Sequence, residues 1–252
     1  MNILRLLLIF VGLIFAWQVI IWLTGVPDYI LPSPAGVATA FIENLNHLWP
    51  HALTTVGEIL AGLILGALLG SASALLMVAF GPVRRWLLPV LVVSQAIPVF
   101  ALAPLLILWL GYGAGSKVAM AILIIFFPVT ATFYDGLRNT EPEWLELARL
   151  MGGTPLSILR HIRIPAAMPA FASGMRVAAA VAPIGAVVGE WVGASSGLGF
   201  YMLHSNARMQ TDLMFAALVL LAIIALALYF FVDRLMSRLV FWQLKHREEN
   251  LS

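Results

Sequence analysis

Six stretches of the chain, at residues 3–24, 52–79, 87–110, 118–137, 166–194 and 212–234, are each apolar over a length that can cross a bilayer. A hydrocarbon core of about 30 Å needs roughly 20 helical residues, and lipid offers no partner to backbone N–H and C=O groups. Each stretch is therefore expected to be an α-helix. Composition agrees: 62% of the 252 residues are hydrophobic and 10% are charged, against roughly 25% charged in soluble domains. The expectation is an all-α, multi-pass integral membrane protein with six transmembrane helices and no room for a large soluble domain. A net charge of +2 gives no nucleic-acid surface, and the absence of cysteine excludes disulfides and thiolate metal sites.

The first stretch carries Arg5 near its start, as a signal peptide would. It is too long for a signal h-region and lacks a small-x-small cleavage site before Pro27, so it reads as a retained helix. Trp17 and Trp22 suit an interface. Residues 25–51 are an extracytoplasmic segment. In it, Ser33-Pro34 opens a short amphipathic helix along the outer surface, with Val37, Phe41, Leu45 and Leu48 on one side. His47 and His51 are four apart but have Pro50 between them and no third ligand, so they read as solvated or capping residues.

From residue 52 to 240 the chain reads as one transmembrane domain. Gly62, Gly66 and Gly70 recur every fourth residue, then Ala74; Gly185, Gly189 and Gly193 form a second stripe. Small residues at this spacing let helices approach closely. Residues 80–86 read as a tight basic turn and 111–117 as another turn, since Ser116 and Val118 spoil a phosphate loop there. The third stretch contains Pro89, Pro98 and Pro104 with Gln95, and is expected to be broken or kinked and packed inside the bundle. Residues 195–211 read as an outer loop, and the tail from 241 as amphipathic and then charged.

Lys and Arg set the orientation. One side holds Arg5, Arg84, Arg85, Arg138, Arg149, Arg160, Arg163, Arg234, Arg238, Lys245 and Arg247, and the other Lys117 and Arg208. This bias places both termini in the cytoplasm. Arg176 lies within the fifth helix and is expected to reach the cytoplasmic headgroups.

No metal cluster, catalytic elbow or nucleotide-binding loop is present in the sequence, so no catalytic residue is assigned. An intramembrane enzyme would need a buried nucleophile with a base, or an acidic pair. Glu58 and Glu190 are the acidic residues within spans, both toward the outer side, and no histidine falls in a span. A charge in the bilayer is costly and so a functional candidate, which makes Glu190, Glu58 and Gln95 candidates for lining a translocation path. The structural alternatives are a salt bridge or backbone hydrogen bond for Glu190 and a snorkelling side chain for Glu58. A secondary transporter would show a repeat between the two halves, which is not visible here.

The longest polar interruption, residues 138–165, also looks structured. Thr140 and Glu143 have capping-box spacing, Leu145, Ala148, Leu150 and Met151 give a short apolar face, Gly152-Gly153 suits a helix end, and Thr154-Pro155 a restart. Two short helices joined at a glycine elbow are expected outside the bilayer. Within them, Glu146, Leu147, Ala148, Gly152, Ile162, Ile164 and Pro165 fall on the pattern E-A-A-x3-G-x9-I-x-L-P. The departures are Leu147 for the first Ala and Ile164 for Leu.

On these residues the chain resembles the permeases of importer-type ABC transporters. The segments LPSP at 31–34, QAIPVFALAPLLILWLGYG at 95–113 and VVGEWVGASSGLGFYM at 187–202 extend the resemblance from about residue 27 to 240, to the branch serving sulfonates, taurine, nitrate and thiamine-precursor pyrimidines. QAIPVFALAP with AAAVAPIGAVVGEW is most similar to hydroxymethylpyrimidine permeases. The resemblance implies the type I importer permease (MetI-like) fold in the inner (plasma) membrane. It implies a second permease copy, expected to be identical, an extracytoplasmic binding protein, and ATPase subunits that grip the loop at 138–165. ATP and Mg would be bound by that ATPase, and no cofactor by this chain. The implied substrate is hydroxymethylpyrimidine, with sulfonate, taurine or nitrate as alternatives.

Overall fold

The computed structural model describes residues 3–242, mostly helical and with no strand among them. Lys245, Arg247 and the charged tail lie outside the described residues. In chain order, α1 (Ile3–Thr24) precedes α2 (Pro34–Glu43) and α3 (Leu45–Ala79). Then come α4 (Gly81–Ala96), α5 (Val99–Leu110), α6 (Ala114–Arg138) and α7 (Pro142–Leu150). A one-turn α8 (Pro155–Ile158) passes through a π-turn (Leu159–Arg163) into α9 (Ile164–Gly193), followed by α10 (Leu198–Ala207) and α11 (Thr211–Leu239). Among the described residues, α3, α6, the continuous rod Pro155–Gly193 and α11 are each long and apolar enough to cross a membrane, and the bent pair α4–α5 makes a fifth candidate.

The core is α6 held between α3 and α9. Gly62 faces Ala121, Gly66 faces Ile125 and Gly70 faces Val129, while Gly185 and Gly189 of α9 meet α6 at Ala121 and Lys117. A Cβ on Gly66 would sit 2.7 Å from Ile125 Cγ2, and one on Gly185 2.6 Å from the Cα of Ala121, so both stripes are contact faces. Gly193 abuts Ile107 and Tyr112. Ala172, Ala178, Ala179, Ala182 and Ala186 line the buried face of α9, and α11 lays Leu228, Val232 and Met236 on the same core. In lipid such packing rests on close van der Waals contact, which small side chains allow.

Several elements differ from the sequence reading. The third stretch is broken as expected, by 106° between α4 and α5. Ile97 is extended (φ −86°, ψ 120°) because the ring of Pro98 disfavours helix in the residue before it. Its packing inside the bundle is not seen: Leu91, Ala103 and Ile107 are buried, but Phe100, Leu108 and Trp109 are at least 68% exposed. The bend turns these faces away from the core. Residues 80–86 are not a tight turn. Pro82 sits in the first turn of α4, where no N–H is needed, and the helix runs on through Arg84 and Arg85.

Likewise α6 begins at Ala114, inside the expected turn, so Lys117 belongs to a helix rather than an outer loop. The stretch 195–211, expected to be an outer loop, contains α10, a helix the glycines of its approach conceal. Ser33 caps α2 by accepting the Gly36 N–H at 3.1 Å, and Val37 and Leu48 are buried, but Leu45 is exposed and starts α3. Because α3 starts before Pro50, His47 and His51 both lie within that helix. Arg176 does not reach for headgroups: its Nε donates to Asp233 at 2.6 Å, because α11 presents that carboxylate beside α9.

Candidate functional site

At the Arg138 end of α6, α7 has an amphipathic face with Leu145 buried beneath it. Thr140 does not form a capping box with Glu143. Its hydroxyl donates to the Leu137 carbonyl at 3.3 Å, and the cap position falls to Glu141, because Pro142 opens the helix. The helix ends where Gly152 takes φ +80°, and the Gly153 N–H turns back to the Ala148 carbonyl at 2.9 Å. That closure satisfies a carbonyl the helix end would orphan. A Cβ at Gly153 would meet the Ala148 oxygen at 2.7 Å, so the helix end read from the Gly-Gly pair needs the second glycine for space as well as the first for conformation. Thr154 then caps the restart by accepting the Ser157 N–H at 3.3 Å.

The restart is not a separate short helix. It continues through the π-turn into α9, so the second arm of the loop and the longest rod in the chain are one body. Of the motif residues, Glu146 and Pro165 are exposed, and Ala148, Ile162 and Ile164 half-buried. Leu147, Leu150, Met151 and Leu156 stand 60%, 86%, 80% and 74% exposed, forming an apolar platform on a polar loop. Trp144 borders a groove of about 550 Å³ with Ile162, Pro165 and Trp242.

At the opposite end of the bundle, α3, α6, α9 and α10 enclose a buried polar cluster. Glu190, 1% exposed, accepts the Thr55 hydroxyl at 2.6 Å and the Gly199 N–H. Thr55 Oγ1 in turn accepts the Leu198 N–H at 2.8 Å, and His51 Nδ1 the Gly197 N–H at 3.1 Å. Three side chains thus serve the first N–H groups of α10, where a carboxylate also complements the helix dipole. Gly197 sits at φ +111° against the Glu190 carboxyl, leaving no room for a side chain. Lys117 Nζ lies 3.2 Å from Glu58 Oε1, an ion pair without hydrogen-bond geometry, with both side chains about 95% buried.

Glu58 therefore does not snorkel, and His51 is a capping residue. His51 takes one of the two roles the sequence offers it, whereas Lys117 reads there only as an outer-side charge and Thr55, Gly197 and Gly199 are not singled out; a lysine in the first turn of an apolar helix is the available signal. Gln95 stands exposed near the α4–α5 break and is not part of this cluster. Among the described residues no group of three or more His, Asp or Glu side chains is placed to hold a metal ion.

Comparison with known proteins fits this architecture. Residues 59–243 match the family described as binding-protein-dependent transport system inner membrane component. A probable ABC transporter permease protein of Haemophilus influenzae is 54% identical over 239 residues, covering 95% of this chain and 98% of that one. The formylaminopyrimidine transport permease of Halalkalibacterium halodurans is 36% identical over 94% of this chain and 95% of its own. The riboflavin transport system permease of Chloroflexus aurantiacus is 39% identical over 90% and 85%. A solved inward-facing structure of the MetNI methionine ABC transporter shares the fold, at 21% identity and TM-score 0.60, over 77% of this chain and 94% of that one.

Proposed function

This chain belongs to the family of binding-protein-dependent transport system inner membrane components and is an ABC transporter permease, from which premise we propose how it couples and what it carries. It passes the plasma membrane six times with both termini in the cytoplasm. The basic ends of α6 and α7, together with Arg84 and Arg85, support that orientation. The burial of Lys117 removes the outer lysine from the count, which sharpens the bias.

The apolar platform of Leu147, Leu150, Met151 and Leu156 carries the coupling reading. An exposed apolar patch on a polar loop marks an interaction surface. The partner is an ATPase subunit, which binds the ATP and Mg that drive the cycle. Glu146 stabilises α7 or meets a basic group on that ATPase, Gly152 supplies the elbow, and Pro165 fixes the entry into α9. Because the second arm and α9 form one rod, movement of the loop is delivered to Glu190, about 50 Å away at 1.5 Å per residue. The outer cluster then has two arrangements, latched as described or released, and the path beside Glu58, Glu190 and Gln95 opens alternately. Two identical copies enclose that path and an extracytoplasmic binding protein delivers the solute.

The solute is a small pyrimidine of the thiamine-precursor type, supported by the formylaminopyrimidine relative. The riboflavin relative favours a second reading, a flavin, whose ring system includes a pyrimidine ring. Sulfonate, taurine and nitrate are weaker alternatives. Calorimetry on the cognate binding protein separates them. Tight binding of hydroxymethylpyrimidine or its formylamino analogue is expected; riboflavin binding alone would select the second reading, and a sulfonate or nitrate would replace both.

A further inference from the structure

Between the inner end of α3 and the loop lies an open groove of about 560 Å³. Ala79, Phe80, Leu156 and Leu159 supply apolar walls, Arg149 and Arg163 supply charge, and no acidic residue lines it. Neither arginine is in an ion pair among the described residues, and Arg163 Nε is buried there without a hydrogen-bond partner. A guanidinium N–H withdrawn from water calls for an acceptor, and the fork of an arginine suits phosphate.

The depth of the groove follows from register. Gly62, Gly66 and Gly70 face Ala121, Ile125 and Val129, a constant offset that brings Ala79 level with Arg138, the last residue of α6. A basic residue ending an apolar span marks the headgroup level. The groove thus opens where a lipid phosphate sits, with Val78 and Ala79 on the acyl side.

We propose that this groove binds the phosphate of an anionic membrane phospholipid between Arg149 and Arg163, with its first acyl carbons against Val78 and Phe80. A lipid there ties the end of α3 to both arms of the loop. Its consequence for transport rests on the coupling reading above; its binding does not.

The test is native mass spectrometry of the full chain in detergent, with phosphatidylglycerol and phosphatidylcholine of the same acyl chains. Phosphatidylglycerol is expected to be retained and phosphatidylcholine lost. The double variant Arg149→Gln/Arg163→Gln is expected to weaken retention about thirtyfold, at about 1 kcal/mol per basic residue and 1.4 kcal/mol per decade. Arg163→Lys keeps charge without the fork, and is expected to lose less, which holds the test open if the double variant does not fold. Equal retention of both lipids, or retention unchanged in the folded double variant, overturns the proposal. Displacement of the lipid by millimolar inorganic phosphate assigns the site to a free anion and overturns it too. Loss of the lipid when the ATPase is added, with Leu156→Cys shielded from a maleimide, makes the groove part of the ATPase contact and overturns it as well. The lipid comparisons are made without the ATPase, so their failure leaves the coupling reading standing.

Discussion

Glu58 and Lys117 illustrate how a single residue dictates a fold detail inside lipid. Each is buried to about 95%, and each is tolerable because the other lies 3.2 Å away. Removing one partner strands a charge, at a cost of about 3–5 kcal/mol, whereas replacing both can be close to neutral. Lys117→Met is therefore expected to lower the thermal midpoint in detergent sharply, and Lys117→Met/Glu58→Met to recover most of it. A double variant as unstable as the single would deny the pair this role. Glu190→Gln is expected to leave the chain in the membrane but to weaken the cap of α10, since an amide replaces a carboxylate that accepts from both Thr55 and Gly199. Transport is expected to fall with assembly retained; loss of the folded chain would make Glu190 structural alone. The acidic members of this cluster were visible in the sequence as rare charges in apolar runs. Their partners were not, because Thr55 and Lys117 meet Glu190 and Glu58 through helix packing, far along the chain.

At the scale of elements, the glycine stripes were legible because period-four small residues have few other uses in an apolar helix. The seam they form can be tested by contrast. Gly66→Leu places a side chain where Ile125 already stands 2.7 Å from a Cβ, while Gly57 has nothing within 4 Å. Overpacking costs about 1–3 kcal/mol or more, so Gly66→Leu is expected to unfold at clearly lower temperature and Gly57→Leu at nearly the wild-type value. Similar midpoints for the two would mean that α3 does not pack on α6 along this stripe. The elbow was equally legible, since Gly152 at φ +80° follows a helix end. Gly152→Val forces a β-branched residue into the left-handed region, with strain of about 1–2 kcal/mol or more. The variant is expected to reach the membrane yet fail to take up substrate or stimulate the ATPase. What the sequence concealed was continuity. Thr154-Pro155 announces a new helix correctly, but nothing in the residues after it says that the helix continues unbroken for 39 residues.

For the whole molecule, the exposed faces of α4 and α5 pose the remaining question. A chain of this size leaves Phe100, Leu108 and Trp109 outward on a broken helix whose buried side is thin. Lipid alone can cover apolar side chains, but it cannot satisfy the backbone groups that Pro98 frees at the break. Irregular backbone at membrane depth calls for protein or a water-filled cavity beside it. In the proposed pair of permeases, a second copy with the path between the two would supply both. The chain contains no cysteine, so single cysteines report without background. Leu156→Cys is expected to react with a membrane-impermeant maleimide only from the cytoplasmic side, and Met209→Cys, at the far end of α10, only from the other. The reverse pattern would invert the orientation and remove the loop from any cytoplasmic ATPase. With orientation fixed, Gln95→Cys beside the break is expected to react with a small water-soluble reagent and to be shielded from a lipid-soluble one. Labelling by the lipid-soluble reagent alone would place the break against the bilayer and exclude α4–α5 from the lining of the path.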